Sequence, residues 1–304
     1  MDDEQKGMLA ATAAFIIFGF SYLFSKMALN LTEPAILLGA RFFVTFIALN
    51  LLVFTRVMKV NLRGKPIGAA ILLGVVQPVI YFIFENYGLK YTTTSFTGMI
   101  SAVSPIFTAI LGAIFLKEHP NWKQWAFILV SIAGVMMVSV GGSGGQNTPL
   151  GAACLVAAYL SGAVYTLLVR RYSRIFTAFE LTYMMFMVGF VFFTGWAFAQ
   201  FGGQTLPMLG QALAHGQFIV SVLYLGVAAS VFAYLLANYS IGKLPVARAM
   251  IFGNISTIVS VAAGVLFMGD QFGITQGVAF LLILAGVWGV NRLRTRVGRR
   301  KEMT

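Results

Sequence analysis

The stretch "YFIFENYGLKY" (residues 81–91) closes a long apolar run and sets a carboxylate, Glu85, where hydrocarbon is expected. An ionised acid near a bilayer centre costs on the order of 2.5–3.5 kcal/mol even on insertion scales. A cationic partner, a water-filled cavity or protonation must offset that cost. The same stretch organises the chain, because its Asn86-Tyr87 pair returns as Asn238-Tyr239. From there residues 86–138 align without a gap to 238–290, an offset of 152.

The aligned positions include Ser104 with Ser256, Gly112 with Gly264, Phe115 with Phe267, Glu118 with Asp270 and Gln124 with Gln276. "AGV" at 133–135 returns at 285–287. A weaker match at an offset of 144 pairs Gly7 with Gly151, Ala13-Ala14 with Ala157-Ala158, and Lys26 with Arg170. The chain therefore divides into a first repeat over 7–140, a second over 149–291 and a basic tail, 292–304, with a Gly-rich linker at 141–148.

Composition sets the solvent. Of 304 residues, 59% are hydrophobic and 10% charged, against about 25% charged in soluble domains. Mean hydropathy is +0.86. Runs of roughly 20 apolar residues fall at 8–28, 34–55, 67–88, 94–116, 122–140, 150–170, 177–199, 217–240, 246–268 and 274–291. The expected fold is an all-α integral membrane protein of ten transmembrane helices. Five spans per repeat is odd, so the second repeat enters the membrane inverted.

With the N-terminus inside, all of the 21 Lys and Arg residues face the cytoplasm except Lys26, Lys90 and Arg41. The outer loops, "GGSGGQNT" and 200–216, carry none. This bias places both termini in the cytoplasm. The N-terminal "MDDEQKG" is acidic where a signal peptide is basic, so the first apolar run is expected to stay as a span.

The net charge of +12 does not signal nucleic acid, because the basic residues are scattered between spans and gathered in the tail "NRLRTRVGRRK". There they can meet anionic lipid headgroups. Cys154 is the single cysteine, and His119 and His215 lie in different loops, so neither a disulfide nor a metal site is expected. No phosphate-binding loop appears, so ATP does not drive the protein directly, and no cofactor is expected. One buried acid without an intramembrane histidine is poor material for an enzyme.

Inverted repeats place substrate near the midplane at their interface and suit alternating access. The acids other than Glu85 lie at helix starts, loops or termini, which makes Glu85 the candidate for proton coupling. Lys26 and Arg41 fall in the same half of the bilayer as Glu85. One reading is an ion-pair lock; the other frees a cation to bind a substrate carboxylate while Glu85 takes a proton. Asn86 and Asn238 are repeat-related and serve either as substrate ligands or as interhelical glue. Asn254, Ser256, Gln77 and Ser104 face the same choice. Tyr81, Tyr159, Tyr165 and Tyr234 could line a pocket, against a background of 14% aromatic residues. Gly98, beside Ser104-Pro105, is a packing position or a hinge with Pro105. In the second half that step is Ser256-Thr257, so a proline kink is expected in the first half only.

The duplicated "Asn-Tyr … Ser-Pro … LKE … AGV" unit and the early "LLGARFF" resemble the EamA unit of the drug/metabolite transporter superfamily across residues 7–291. The resemblance implies a ten-helix bundle around a central cavity that moves metabolites, amino acids or toxic compounds outward across the plasma membrane. It implies that the fourth and ninth helices line the cavity with the first, third, sixth and eighth. The fifth and tenth are implied to be peripheral and to make homodimer contacts. The expected function is a secondary exporter of small metabolites or amino acids. The alternatives are a multidrug efflux pump and an uncoupled facilitator.

Overall fold

The computed structural model describes residues 3–116, 122–140, 147–244 and 252–301. Among them there is no β-strand. Three helices come first: α1 (Asp3–Leu29), α2 (Pro34–Phe54) and α3 (Ile67–Lys90). Next are α4 (Thr94–Ser101), α5 (Ser104–Leu116) and α6 (Trp122–Val140). The second half holds α7 (Pro149–Tyr172), α8 (Ala178–Phe201), α9 (Thr205–Leu213), α10 (Gly216–Lys243), α11 (Gly253–Met268) and α12 (Ile274–Lys301). Among the described residues seven stretches are long and apolar enough to cross a membrane, and shorter apolar helices run over Trp125–Met137, Gly253–Met268 and Ile274–Gly289. Charged ends and caps stop them. Glu180, for example, closes a capping box with Thr177 at the start of α8.

Three local features differ from the sequence expectation. The third span is interrupted: Gln77 leaves helical geometry at φ −145°, ψ 116°, beside Pro78, which lacks a backbone donor. The expected loop 200–216 contains α9, with Pro207 in its first turn. The basic tail continues α12 to Lys301, since arginine is a good helix former and the stretch holds no proline. The fourth span divides into α4 and α5 at Ala102–Val103, just before Pro105. The tip of the Lys117–Asn121 loop, with Glu118 and His119, and Arg248 lie outside the described residues, as do the side chains of Pro105 and the tail.

Three pairs of repeat-related spans pack on each other in antiparallel fashion: the second with the seventh, the fourth with the ninth and the fifth with the tenth. At the α6–α12 crossing Gly134 abuts Ala279 and Ile283, and Gly286 abuts Phe127 and Ser131. Adding 152 to 127, 131 and 134 gives 279, 283 and 286, so the crossing is symmetric residue by residue. In α4–α11, Gly98 lies on Ser260 while Ser95 lies on Gly264. In α2–α8, Gly39 lies on Ala197 while Asn50 bonds Tyr183. Small residues let these backbones approach closely, as expected where apolar burial gives no drive in lipid. The symmetry continues elsewhere. Gly7 packs on Lys243 and Leu244, and its counterpart Gly151 packs on Tyr91 and Thr92.

Candidate functional site

The break in α3 faces a central cavity. The helix loses its own bonding pattern at Gln77, and a neighbour supplies a partner there: Ser161 of α7 donates to the Val76 carbonyl at 2.7 Å. The Gln77 side-chain amide donates to the Tyr234 hydroxyl of α10. In α10 the repeat-related segment, Tyr224–Ala233, winds in wider π-helical turns, and Thr45 of α2 donates to its Gly226 carbonyl at 2.9 Å. Irregular backbone at membrane depth is tolerated where protein groups or a cavity satisfy it.

The cavity has a volume of about 130 Å³, against the roughly 10–15 Å³ that one water needs. It takes Gln77, Tyr81, Phe82 and Glu85 from α3, and Arg41 from α2. Ser21 and Tyr22 of α1 complete that region. Tyr159, Tyr165 and Thr166 come from α7, and Tyr234 and Asn238 from α10. Ser104 and Ser256 enter from α5 and α11. Lining by Ile241 and Gly253, near the end of α10 and the start of α11, carries the cavity towards the face where α1 begins.

Glu85 is 6% exposed, and its Oε1 accepts a 2.8 Å hydrogen bond from the Tyr81 hydroxyl. Arg41 is 2% exposed; its Nε donates to Ser230 Oγ at 3.0 Å, and its guanidinium lies 4.2 Å over the Phe82 ring. No salt bridge joins Glu85 to Arg41 or to Lys26. The described ion pairs are Lys65–Glu180, Lys90–Glu33 and Lys243–Asp3. The ion-pair lock read from the sequence is therefore absent from this geometry, and both cavity charges are anchored by neutral groups.

The remaining candidates separate clearly. The Tyr165 hydroxyl donates to Asn238 Oδ1 at 2.8 Å, and the Asn238 amide donates to Thr182 Oγ1 at 3.0 Å. Tyr159 Oη lies 3.2 Å from the Thr97 carbonyl oxygen and 3.4 Å from Tyr22 Oη. Asn86 and Asn254 do not line the cavity. Asn86 donates to its own helix at Phe82, and the Oδ1 atoms of both residues lack a partner among the described residues. Lys26 points away from the cavity, to the end of α3. Gly98 is packed so tightly that a Cβ there would overlap Ser260.

Sequence reasoning passed over Tyr22, Ser21 and Phe82. Tyr22 and Ser21 form a polar pair within an apolar span, which was a usable signal. Phe82 offered none, because its part depends on Arg41 reaching across from another helix.

Comparison with known proteins agrees with this architecture. The EamA-like transporter family matches residues 5–140 and again 149–292. The chain is 32% identical over 286 residues to the uncharacterized transporter YcxC of Bacillus subtilis (strain 168), covering 93% of this chain and 92% of that one. It is 26% identical over 246 residues to a protein of Streptantibioticus cattleyicolor named "Probable terminal-alkyne amino-acid exporter", covering 79% and 77%. A solved crystal structure shares the fold at a TM-score of 0.70 with 16% identity, covering 97% of this chain and 99% of that one. On the doubled match and the shared length, this multi-pass membrane protein belongs to the EamA-like transporter family and is a transporter, not an enzyme.

Proposed function

We propose that the protein is a secondary exporter of small zwitterionic metabolites, amino acids among them, working by alternating access in the plasma membrane. One observation carries this reading. Glu85 and Arg41 are buried in a common cavity, are not paired with each other, and are each tethered by uncharged groups. A ligand with an ammonium at one end and a carboxylate at the other would neutralise both. The exporter name of the Streptantibioticus relative is in keeping with an amino-acid cargo.

Ten spans in two inverted repeats are part of the same proposal. Antiparallel pairing of repeat-related helices supports it, because two equivalent helices can run antiparallel only if the axis relating them is perpendicular to both. The positive-charge bias supports cytoplasmic termini. With that orientation the cavity reaches towards the cytoplasm, the side from which an exporter loads. Glu85 is the proposed coupling group, taking a proton when the substrate ammonium leaves. The peripheral α6–α12 pair is the proposed homodimer contact.

The test is uptake of a labelled amino-acid and metabolite panel into proteoliposomes, with and without a pH gradient, for the unmodified protein and for Glu85→Gln. Gradient-driven transport lost in the variant, with gradient-free exchange retained, is the expected result. Indifference to both the gradient and the substitution would leave an uncoupled facilitator. A second reading, efflux of organic cations, rests on the tyrosines gathered around Glu85. It predicts that cationic dyes compete for uptake and that Arg41→Gln does not weaken them.

A further inference from the structure

Lys26, three residues from the end of α1, reaches the turn that follows α3. Its ammonium donates to the carbonyls of Leu89 at 2.8 Å, Lys90 at 3.4 Å and Thr92 at 2.6 Å. Arg170, two residues from the end of α7, reaches the turn that follows α10. Its Nη1 donates to the carbonyls of Ile241 at 2.9 Å, Gly242 at 3.4 Å and Leu244 at 3.1 Å. Adding 152 to 89, 90 and 92 gives 241, 242 and 244. The two cations themselves are matched at the offset of 144. The same joint is therefore built twice, from different side chains.

The local chemistry explains why a cation is needed. The last carbonyls of a helix have no intrahelical partner, and unsatisfied backbone groups in a membrane cost several kcal/mol each. The helix C-terminus also carries partial negative charge. The three ammonium donors of Lys26 meet three acceptors, so none is left for a substrate.

We infer that Lys26 and Arg170 are positioning residues, repeat-related struts that stay formed through the whole transport cycle. Each makes the first helix of its repeat and the hairpin after the third helix move as one body. The inference rests on the alternating-access reading with inverted repeats. In such a carrier each half, when the cavity faces one side, has the arrangement its partner adopts when the cavity faces the other. A contact made in both halves at once therefore belongs to both states. A contact made in one half only is what changes.

Here Asn238 and Ile241 line the cavity while their repeat counterparts Asn86 and Leu89 do not, so the halves stand in different arrangements, yet both struts are made. The Lys90–Glu33 ion pair is the contrast. Its repeat-related positions are Gly242 and Thr177, which cannot form one. Sequence, not conformation, confines that pair to one half.

Spin-label distances test this on the full chain in lipid nanodiscs, in a Cys154→Ser background. One pair, at Asn30 and Tyr91, reports the Lys26 strut. A second, at Arg171 and Gly242, reports the Arg170 strut. A third, at Asn30 and Phe267, spans the two halves at one face. The expected result is a single population for both strut pairs in acidic and in alkaline buffer, and two populations for the third pair. Lys26→Met should add a second population at Asn30–Tyr91 alone, and Lys26→Arg should remove it. Arg170→Met and Arg170→Lys repeat the test at the other face, so one unfolded variant does not end it. Two populations at a strut pair in the unmodified protein, or a strut pair unmoved by the Met variants, would overturn the struts. A single population at all three pairs would instead overturn alternating access, and the struts with it.

Discussion

Tyr81 and Glu85 stand one turn apart on α3, and the Tyr81 hydroxyl donates to the Glu85 carboxylate at 2.8 Å. A buried acid in this membrane protein is thus held by a phenol and not by a cation. Intramembrane charges usually pair with one another. Here Arg41 shares the cavity but spends its Nε on Ser230 and its face on Phe82. On the proposed reading, that division leaves charge of both signs for a substrate.

Removing the phenol should weaken binding without uncoupling transport. The bond is internal and is made without substrate, so its loss acts on affinity only through a Glu85 carboxylate no longer held in place. Tyr81→Phe is therefore expected to raise the half-saturating substrate concentration while uptake stays gradient-driven. Initial uptake rates across a substrate series check this. A lost gradient dependence in Tyr81→Phe would contradict it.

Arg41→Lys should behave as a loss and not as a conservative change. The guanidinium is planar, stacks on Phe82 and keeps a fixed fork of donors, none of which an ammonium reproduces. Carboxylate-bearing substrates are expected to lose roughly 10-fold in affinity, the loss of one charge-assisted bond. Competition binding to the purified protein measures it, and near-normal affinity in Arg41→Lys would refute the assignment.

Two glycines make a paired test of packing. A Cβ at Gly98 would overlap Ser260 on α11, whereas among the described residues a Cβ at Gly253 would meet Phe15 alone, at 3.8 Å. Overpacking costs about 1–3 kcal/mol. Gly98→Ala should lower the thermal unfolding temperature of the purified protein clearly, and Gly253→Ala should stay near the unmodified value. Equal effects would show that the α4–α11 approach is looser than this geometry.

Glu180 and Glu33 both form ion pairs at 2.5 Å, but their surroundings differ. Glu180 also accepts from the Thr177 and Asn61 backbone amides, and its side chain is 3% exposed. Glu33 is 40% exposed. Glu180→Ala should destabilise by about 2 kcal/mol through its lost cap and buried bonds. Glu33→Ala should cost under about 1 kcal/mol, as exposed pairs do. Thermal unfolding of both variants in one detergent ranks them, and a reversed order would refute the argument.

Hydropathy and a self-alignment were enough to read that the chain is an all-helical membrane protein and that it is built twice. Lipid demands about twenty apolar residues per crossing, and a duplicated chain keeps its register, so Gly134 and Gly286 could be matched before their contacts were known. The interruption of α3 had a visible cause in Pro78, which went unread beside the more conspicuous Ser104-Pro105. Depth was legible as well: Lys26, Arg41 and Glu85 do lie in the half of the bundle away from the start of α1.

What only the tertiary structure decided is direction around each helix axis. Asn86 and Asn238 occupy equivalent positions, yet Asn238 lines the cavity and bonds Tyr165, while Asn86 bonds its own helix outside it. Lys26 and Glu85 lie in the same half of the bundle, yet one caps a helix and the other faces the cavity. A sequence fixes how far along a span a side chain sits. Which neighbour it meets depends on how helices distant in sequence rotate and pack, and on how far a flexible lysine or arginine reaches to find an unpaired carbonyl.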